Sequence, residues 1–170
     1  MQKIIFLFFI ISSFISAQMS EEVLKKQVVY FEKLAYYVKW PKEKSNIDPL
    51  IIGIIGDNPY EDYLDIAYAN RDDNRRRVVI KEIISLDEIS ECHMLYIGKL
   101  NYFTVEEIVD ASYGVFLISH TDGFGERGVH LNYYIQNDRL KFEVNPYSSI
   151  KSAIRINAKL IRLSKVVGTQ

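Results

Sequence analysis

The stretch that most resembles a chemical site is residues 123–128, which read GFGERG and match the dinucleotide-binding pattern G-x-G-x-x-G. Glu143 follows at about the distance, roughly 20 residues, expected of an acid that binds ribose. A dinucleotide site needs its glycines at the start of a helix, whose N-terminus holds the pyrophosphate. Here a strand pattern follows the glycines. We therefore interpret them as a loop with unusual backbone angles, and we predict no cofactor.

The residue types of a catalytic triad occur together at Ser119, His120 and Asp122. Neighbouring side chains on a strand point to opposite faces, so these residues do not form a relay of nucleophile, base and acid. The sequence also has no G-x-S-x-G nucleophile elbow and no Walker loop. We therefore predict a protein that is not an enzyme and that works by binding.

Cys92 is the only cysteine, and the three histidines are not spaced as zinc ligands, so we predict no metal site. A single cysteine cannot form a disulfide within its own chain, even in an oxidising compartment. We interpret Cys92 as a small buried thiol at the start of a strand. The alternative, a disulfide between two chains, stays open.

The N-terminus has the pattern of a secretory signal peptide. Lys3 precedes an apolar run that begins at Ile4, and small residues follow at Ser16 and Ala17. The run is shorter than the roughly 20 residues of a membrane-spanning helix. We predict a signal peptide at residues 1–17 and one exported domain at residues 18–170. The alternative is an uncleaved N-terminal anchor.

The composition excludes several classes of protein. The net charge of −1 gives no basic patch for nucleic acid or for an anionic membrane surface. Hydrophobic residues make up 48% of the chain, which is enough for an ordinary core. No second long apolar segment follows the first, so we predict that the mature protein does not span a membrane.

The order of apolar runs predicts an α/β fold, with a single, largely parallel sheet, an antiparallel hairpin at its edge, and flanking helices. We predict helices at 20–38, 58–69 and 104–111, and a closing helix that begins at Asn145 and contains Arg155. The predicted strands are 50–56, 78–80, 94–97 and 115–119, followed by a hairpin of 129–135 and 140–144.

Two further features allow two interpretations each. The aromatic residues of the first helix and its end either pack in the core or form an interface: Tyr30, Tyr36, Tyr37 and Trp40. The arginine-rich stretch 71–77 is either a solvated loop or a site for an anionic ligand or partner.

Segments along most of the chain, from residue 23 to residue 167, resemble the YfiR-like (YfiR/HmsC-like) family of periplasmic regulators. The resemblance rests on the order and spacing of these segments: 31–41, 52–60, 91–97, 123–128, 131–132, 142–145, 155–156 and 160–163. The first of them ends in Trp40-Pro41, and the third contains Cys92-His93.

The resemblance implies a periplasmic α/β protein that controls an inner-membrane signalling enzyme. In the best-known members this enzyme is a diguanylate cyclase, which is restrained through its periplasmic sensor domain. Relief of the restraint raises cyclic di-GMP and biofilm formation. The resemblance also implies homodimers, no catalysis and, as an option, a small-molecule pocket.

The same resemblance suggests which residues make contact with a partner or ligand. Glu143 and Arg155 correspond to family positions associated with such contacts, and Asn157 stands where a ligand-contacting histidine can occur. The chain differs from the better-studied members because it lacks the additional cysteines that form disulfides there.

The sequence therefore predicts a non-catalytic periplasmic regulator that binds and restrains the sensory part of an inner-membrane diguanylate cyclase or sensor kinase. The alternative is a periplasmic small-molecule-binding module that feeds a transporter or sensor, with its site in the loops near Asp57 and His120.

Overall fold

The structure is a computed structural model that describes residues 21–45, 48–60, 63–69, 77–137 and 139–168. The predicted signal peptide and the arginines at positions 71, 75 and 76 lie outside the described residues.

The helices are α1 (Glu21–Ala35), α2 (Lys42–Ser45), α3 (Tyr63–Ala69), a 3₁₀ helix (Leu86–Glu91), α4 (Val105–Asp110), α5 (Pro146–Lys151) and α6 (Ala158–Arg162). The strands are β1 (Val38–Lys39), β2 (Leu50–Ile55), β3 (Val78–Glu82), β4 (Met94–Ile97), β5 (Phe116–Ser119), β6 (Leu131–Gln136), β7 (Arg139–Val144), β8 (Arg155–Ile156) and β9 (Lys165–Val166).

Seven strands form one open sheet in the order β3-β2-β4-β5-β6-β7-β9. Neighbouring strands are parallel except in the β6–β7 hairpin, which is antiparallel from Leu131 opposite Val144 to Gln136 opposite Arg139. This confirms the predicted α/β fold with a largely parallel sheet. The sequence did not predict β9, which adds two residues beside β7, or the separate two-stranded sheet of β1 and β8.

The central strands are buried on both faces because helices cover both sides of the sheet. Side chains of β4 alternate between two cores, as the two-residue period of a strand requires. Tyr96 packs in the core under α1 and α3, together with Phe31 and Leu64. Leu95 packs in the opposite core with Ile108 of α4. The helices α1, α3 and α4 therefore face the sheet with their apolar sides.

The predicted helix that begins at Thr104 is present as α4, and Thr104 caps it. The Thr104 hydroxyl accepts a hydrogen bond from the backbone N–H of Glu107 at 3.3 Å, and the Glu107 carboxylate accepts one from the backbone N–H of Thr104 at 2.8 Å. This reciprocal capping box satisfies two backbone donors that the first helical turn leaves free.

The predicted closing helix is wrong. α5 ends near Ser152, and Ala153 then adopts a left-handed conformation with φ +57°, which reverses the chain. Arg155 and Ile156 form β8, which pairs antiparallel with β1, and only then does α6 begin. Arg155 therefore lies on a strand and not on the final helix.

The first helix also ends earlier than predicted, at Ala35, and its expected last residue Val38 belongs to β1.

Among the described residues, no helix has both the length and the apolar character needed to cross a membrane.

Candidate functional site

Two cationic side chains are neighbours on the small sheet. Arg155 of β8 lies directly opposite Lys39 of β1, and both residues are exposed. Directly opposite residues of an antiparallel pair project to the same face, and like charges in this arrangement repel each other. Within the described part of the chain, neither side chain has an ion-pair partner. An external carboxylate placed between them would relieve this repulsion.

Arg155 also lines a cleft of about 370 Å³, which we call the Arg155 cleft. Its lining residues are Pro146, Ser149, Ile150, Arg155, Ile156 and Ile161. The walls are mostly apolar, and Ile150 is 67% exposed although it is a large aliphatic residue. An exposed apolar surface beside an unpaired cation is typical of a binding site for another molecule.

Asn157, the second residue predicted to make contact, joins the start of α6 to the segment before β1 through two hydrogen bonds. Its side-chain oxygen accepts a hydrogen bond from the backbone N–H of Lys159 at 2.8 Å, which caps α6. Its own backbone N–H donates to the carbonyl of Tyr37 at 2.8 Å, next to β1. Asn157 is exposed and follows β8 directly, so the structure brings it into the same region as Arg155.

Glu143, the third predicted residue, lies in the other sheet. It is only 8% exposed on β7, and its carboxylate binds the ammonium group of Lys165 on β9 at 2.8 Å. This hydrogen bond and the charge of Glu143 raise the pKa of Lys165 above its ordinary value. Among the described residues, Glu143 thus forms its ion pair with Lys165 within the seven-stranded sheet, whereas Arg155 lies on the separate two-stranded sheet.

Three buried tyrosines and one half-buried histidine form a cluster beneath α1. We call it the tyrosine cluster, and it consists of Tyr60, Tyr96, His120 and Tyr133. The Tyr96 hydroxyl lies 2.5 Å from Nδ1 of His120, and the hydroxyls of Tyr60 and Tyr133 are hydrogen bonded to each other. The Tyr60 hydroxyl also donates to the side-chain oxygen of Gln27 at 3.3 Å.

Burial sets the protonation of the tyrosine cluster. It raises the pKa of Tyr133 to about 12 and raises the pKa values of Tyr60 and Tyr96 far above their ordinary range. Burial lowers the pKa of His120. At neutral pH the three phenols are therefore protonated and the imidazole is neutral, so Tyr96 donates to Nδ1. The cluster has no anionic nucleophile, and its hydrogen bonds serve to fix the core.

The catalytic residue types noted in the sequence do not form a relay. The Ser119 hydroxyl donates to the carbonyl of Ile97 at 2.8 Å and accepts from the backbone N–H of Thr121 at 3.0 Å. His120 bonds to Tyr96 instead of to Ser119. Side chains of consecutive residues thus point in different directions, as the strand geometry predicts.

The glycine-rich loop at 123–128 leads into β6 and not into a helix. Side chains of α5 and its cap hold it in place: Asn145 donates to the carbonyl of Gly125 at 2.8 Å, and Ser148 donates to that of Gly128 at 2.6 Å. Arg127 donates two hydrogen bonds of 2.8 Å to the carboxylate of Glu106 on α4. The loop therefore connects α4 and α5 through side-chain hydrogen bonds, and it lacks the geometry of a dinucleotide site.

Comparison with known sequences identifies the family. The sequence profile described as YfiR/HmsC-like matches residues 23–165, which is most of the chain. The chain belongs to the YfiR/HmsC-like family. This family is regulatory and is not known to be catalytic, and membership supports a role as a periplasmic regulator in general. Among curated proteins, no sequence matches this chain.

A solved structure shares the fold of this YfiR/HmsC-like chain. It is the crystal structure of a conserved domain protein from Vibrio cholerae O1 biovar El Tor str. N16961. The two structures superpose with a TM-score of 0.56 at 9% sequence identity, over 85% of this chain and 60% of the other. At this identity the likeness concerns the fold alone.

In this YfiR/HmsC-like chain, Cys92 is a fully buried free thiol. Burial raises its pKa to about 11, so the thiol stays protonated and unreactive at neutral pH. The interpretation of Cys92 as a small buried residue is confirmed. In the described part of the chain, no group of three or more histidine, cysteine or acidic side chains is arranged to hold a metal ion.

Sequence reasoning pointed to the loop at Asp57 but missed the cleft that it borders. A cleft of about 290 Å³, which we call the switch-point cleft, lies at the C-terminal ends of β2, β3 and β4. Asp57, Glu82 and Tyr102 are among the residues that line it. In the sequence, this cleft is indicated only by the end of an apolar strand followed by Gly56-Asp57.

Proposed function

We propose that this protein is a non-catalytic periplasmic regulator that binds and restrains the sensory part of an inner-membrane diguanylate cyclase or sensor kinase. Membership of the YfiR/HmsC-like family supports a regulatory role in the periplasm. The observation that carries the proposal for this chain is that Lys39 and Arg155 lie side by side, without ion-pair partners among the described residues, and that Arg155 borders the apolar walls of the Arg155 cleft.

The chemistry of this surface suits an acidic segment of a partner that also carries apolar side chains. A partner carboxylate would bind Arg155 and Lys39 together and remove the repulsion between them. Apolar side chains next to that carboxylate would cover Ile150 and Ile156, which are exposed or half-buried in the cleft. Apolar burial supplies affinity, and the charge pair supplies orientation.

Glu143 takes a supporting position in this proposal. Its carboxylate is buried and neutralised by Lys165, so it is not available to a partner in the way that Arg155 is. The ion pair fixes β9 against β7. Asn157 stays a proposed contact residue, because it is exposed and follows Arg155 by two residues.

Deletion and complementation test the proposal. We expect deletion of the gene to raise cyclic di-GMP or the phosphorylation output of a sensor kinase, and we expect the wild-type gene to restore the lower level. Arg155→Glu should fail to restore it, because the new carboxylate repels an acidic partner. Arg139→Glu, at another exposed arginine on β7, is the matched control and should restore it. Unchanged cyclic di-GMP and unchanged kinase output after deletion would contradict the proposal.

A second candidate function is a small-molecule-binding module that feeds a transporter or sensor. The switch-point cleft favours it, because ligands of open α/β sheets bind at this end of the strands. A metabolite that raises the melting temperature of the mature protein, with no partner recovered from solubilised inner membrane, would support this candidate over the first.

A further inference from the structure

The switch-point cleft is formed by three segments that each follow or end a parallel strand. Asp57 lies just after β2, and Glu82 ends β3. The segment after β4 contributes Asn101, Tyr102 and Phe103. β2 has β3 on one side and β4 on the other, so the strand order reverses here. This is the position at which open α/β sheets bind ligands.

Close backbone packing holds two walls of the cleft in a fixed position. The backbone N–H of Asp57 donates to the carbonyl of Lys99 at 3.0 Å, which joins the turn after β2 to the turn after β4. A Cβ atom on Gly98 would lie 1.9 Å from the carbonyl oxygen of Asp57, so only glycine permits this approach. The cleft is therefore preformed, as ligand sites usually are.

Among the described residues, the charges that line the cleft are all negative. Asp57 and Glu82 are exposed acidic residues, and the described lining contains no lysine, arginine or histidine. Within the described residues, neither carboxylate has an ion-pair partner. The remaining lining is largely apolar, with Ile84 exposed to 74% and Tyr102 to 92%. The cleft thus combines unpaired negative charge with exposed aliphatic and aromatic surface.

We propose that the switch-point cleft binds a small organic cation, in which an ammonium group is attached to an apolar or aromatic body. The carboxylates of Asp57 and Glu82 bind the ammonium group, and the ring of Tyr102 and the side chain of Ile84 cover the body. The volume of about 290 Å³ lies just below the usual range for ligand pockets, about 300–1,000 Å³, so the ligand is small. The inference rests on the second candidate function and names its ligand class.

An organic cation fits the cleft better than a bare metal ion. A divalent cation such as Ca²⁺ needs six to eight oxygen ligands. The described residues contain no group of three acidic, histidine or cysteine side chains that would supply a core of such ligands. A metal ion would also leave Ile84 and Tyr102 uncovered.

Titration calorimetry of the mature protein with three aromatic probes of similar shape and different charge tests the ligand class. The probes are 2-phenylethylammonium, the neutral 2-phenylethanol and the anionic phenylacetate, and CaCl₂ is a fourth. We expect 2-phenylethylammonium to bind at least about tenfold more tightly than the other two aromatic probes, which corresponds to about 1.4 kcal/mol. Tight binding of Ca²⁺ without binding of the ammonium probe would overturn the inference.

Matched variants locate the site. Asp57→Asn and Glu82→Gln should each weaken binding of 2-phenylethylammonium about fivefold or more, because each removes one carboxylate. Asp110→Asn is the control, since Asp110 is an exposed acid on α4 outside the cleft, and its affinity should equal that of the wild type. Undiminished binding in both cleft variants would overturn the inference.

The outcomes separate the ligand class from the function on which it rests. Binding of the alcohol or phenylacetate in preference to the ammonium probe would overturn the inference and leave a small-molecule module as a candidate. Binding of none of the probes would overturn the inference as well, and a metabolite screen by thermal stabilisation would then decide the candidate function independently.

Discussion

The hydroxyl of Tyr96 lies 2.5 Å from Nδ1 of His120, and the two rings stack with an interplanar angle of 4°. Tyr133 stacks on His120 as well, with ring centroids 5.8 Å apart. Tyr96 near the end of β4, His120 just after β5 and Tyr133 within β6 are thereby joined by one polar contact and two ring contacts next to the apolar core under α1. A satisfied polar group at such a place favours one arrangement of the strands over others.

Replacement of Tyr96 by phenylalanine tests this contact. Tyr96→Phe leaves Nδ1 of His120 without its donor, so we expect the free energy of unfolding to fall by about 1–2 kcal/mol. Urea denaturation followed by circular dichroism measures the change. Tyr102→Phe is the control, because Tyr102 is 92% exposed and its hydroxyl is solvated. Equal stability of the two variants would show that the Tyr96 hydroxyl contributes nothing.

His130 should make the protein sensitive to acid. It is fully buried, it accepts a hydrogen bond from the backbone N–H of Leu117 at 3.1 Å, and burial lowers its pKa to about 3. In the unfolded chain its pKa is about 6.5. Between these two pKa values the unfolded state binds a proton that the folded state does not bind. The free energy of unfolding should therefore fall by up to about 1.4 kcal/mol per pH unit as pH decreases from about 6.5 toward 3.

A variant without the imidazole isolates this contribution. Nε2 of His130 is also hydrogen bonded to the hydroxyl of Ser152 at 3.2 Å. His130→Gln should be less stable than the wild type at pH 7, because glutamine does not reproduce both hydrogen bonds of the ring. Its free energy of unfolding should depend less on pH between 6.5 and 4 than that of the wild type, with other titrating groups unchanged. Parallel pH profiles of the two proteins, measured by urea denaturation, would refute the assigned role of His130.

Gly53 is required by packing. A Cβ atom at this position would lie 2.6 Å from Sγ of Cys92 and 2.9 Å from side-chain carbons of Ile83 and Leu95. Gly53→Ala should therefore cost about 1–3 kcal/mol of stability through overpacking. The double variant Gly53→Ala with Cys92→Ala removes the closest clash and should recover part of the loss. A single variant as stable as the wild type would show that the core has more room here than the structure indicates.

Glu143 and Lys165 should act as one unit in regulation. If Glu143 serves to hold β9 and does not touch the partner, Glu143→Gln and Lys165→Met should change the restraint of the signalling enzyme by similar amounts. Complementation of the deletion strain measures both, with protein levels checked by immunoblot. A large effect of Glu143→Gln together with no effect of Lys165→Met would instead favour direct contact between Glu143 and the partner.

Local patterns made part of the fold predictable. The continuous apolar runs of β4 and β5 indicate strands that are covered on both faces, and Thr104 with Glu107 is a recognisable capping box. The position of Arg155 was not predictable in this way. The apolar spacing of Ile150, Ile154 and Ile161 also fits a helix, and the break at Ala153 has no residue type that signals a left-handed turn.

The candidate sites depend on contacts between distant parts of the chain. Lys39 and Arg155 become neighbours only because β1 pairs with β8, and two-residue strands leave no periodicity to detect. The partner of Glu143 is on β9, which is also two residues long. The resemblance to the YfiR-like family supplied Arg155 and Asn157 as candidate residues, but their surroundings follow from tertiary structure.

Site-specific photo-cross-linking in living cells tests the central claim most directly. A benzoylphenylalanine placed at Ile150, which is 67% exposed in the Arg155 cleft, should form an adduct with an inner-membrane diguanylate cyclase or sensor kinase that mass spectrometry identifies. The same probe at Tyr113, which is 68% exposed outside this cleft, should not form it, and Arg155→Glu should abolish the adduct at position 150. Absence of such an adduct at position 150, or equal adducts at both positions, would contradict restraint through the Arg155 cleft.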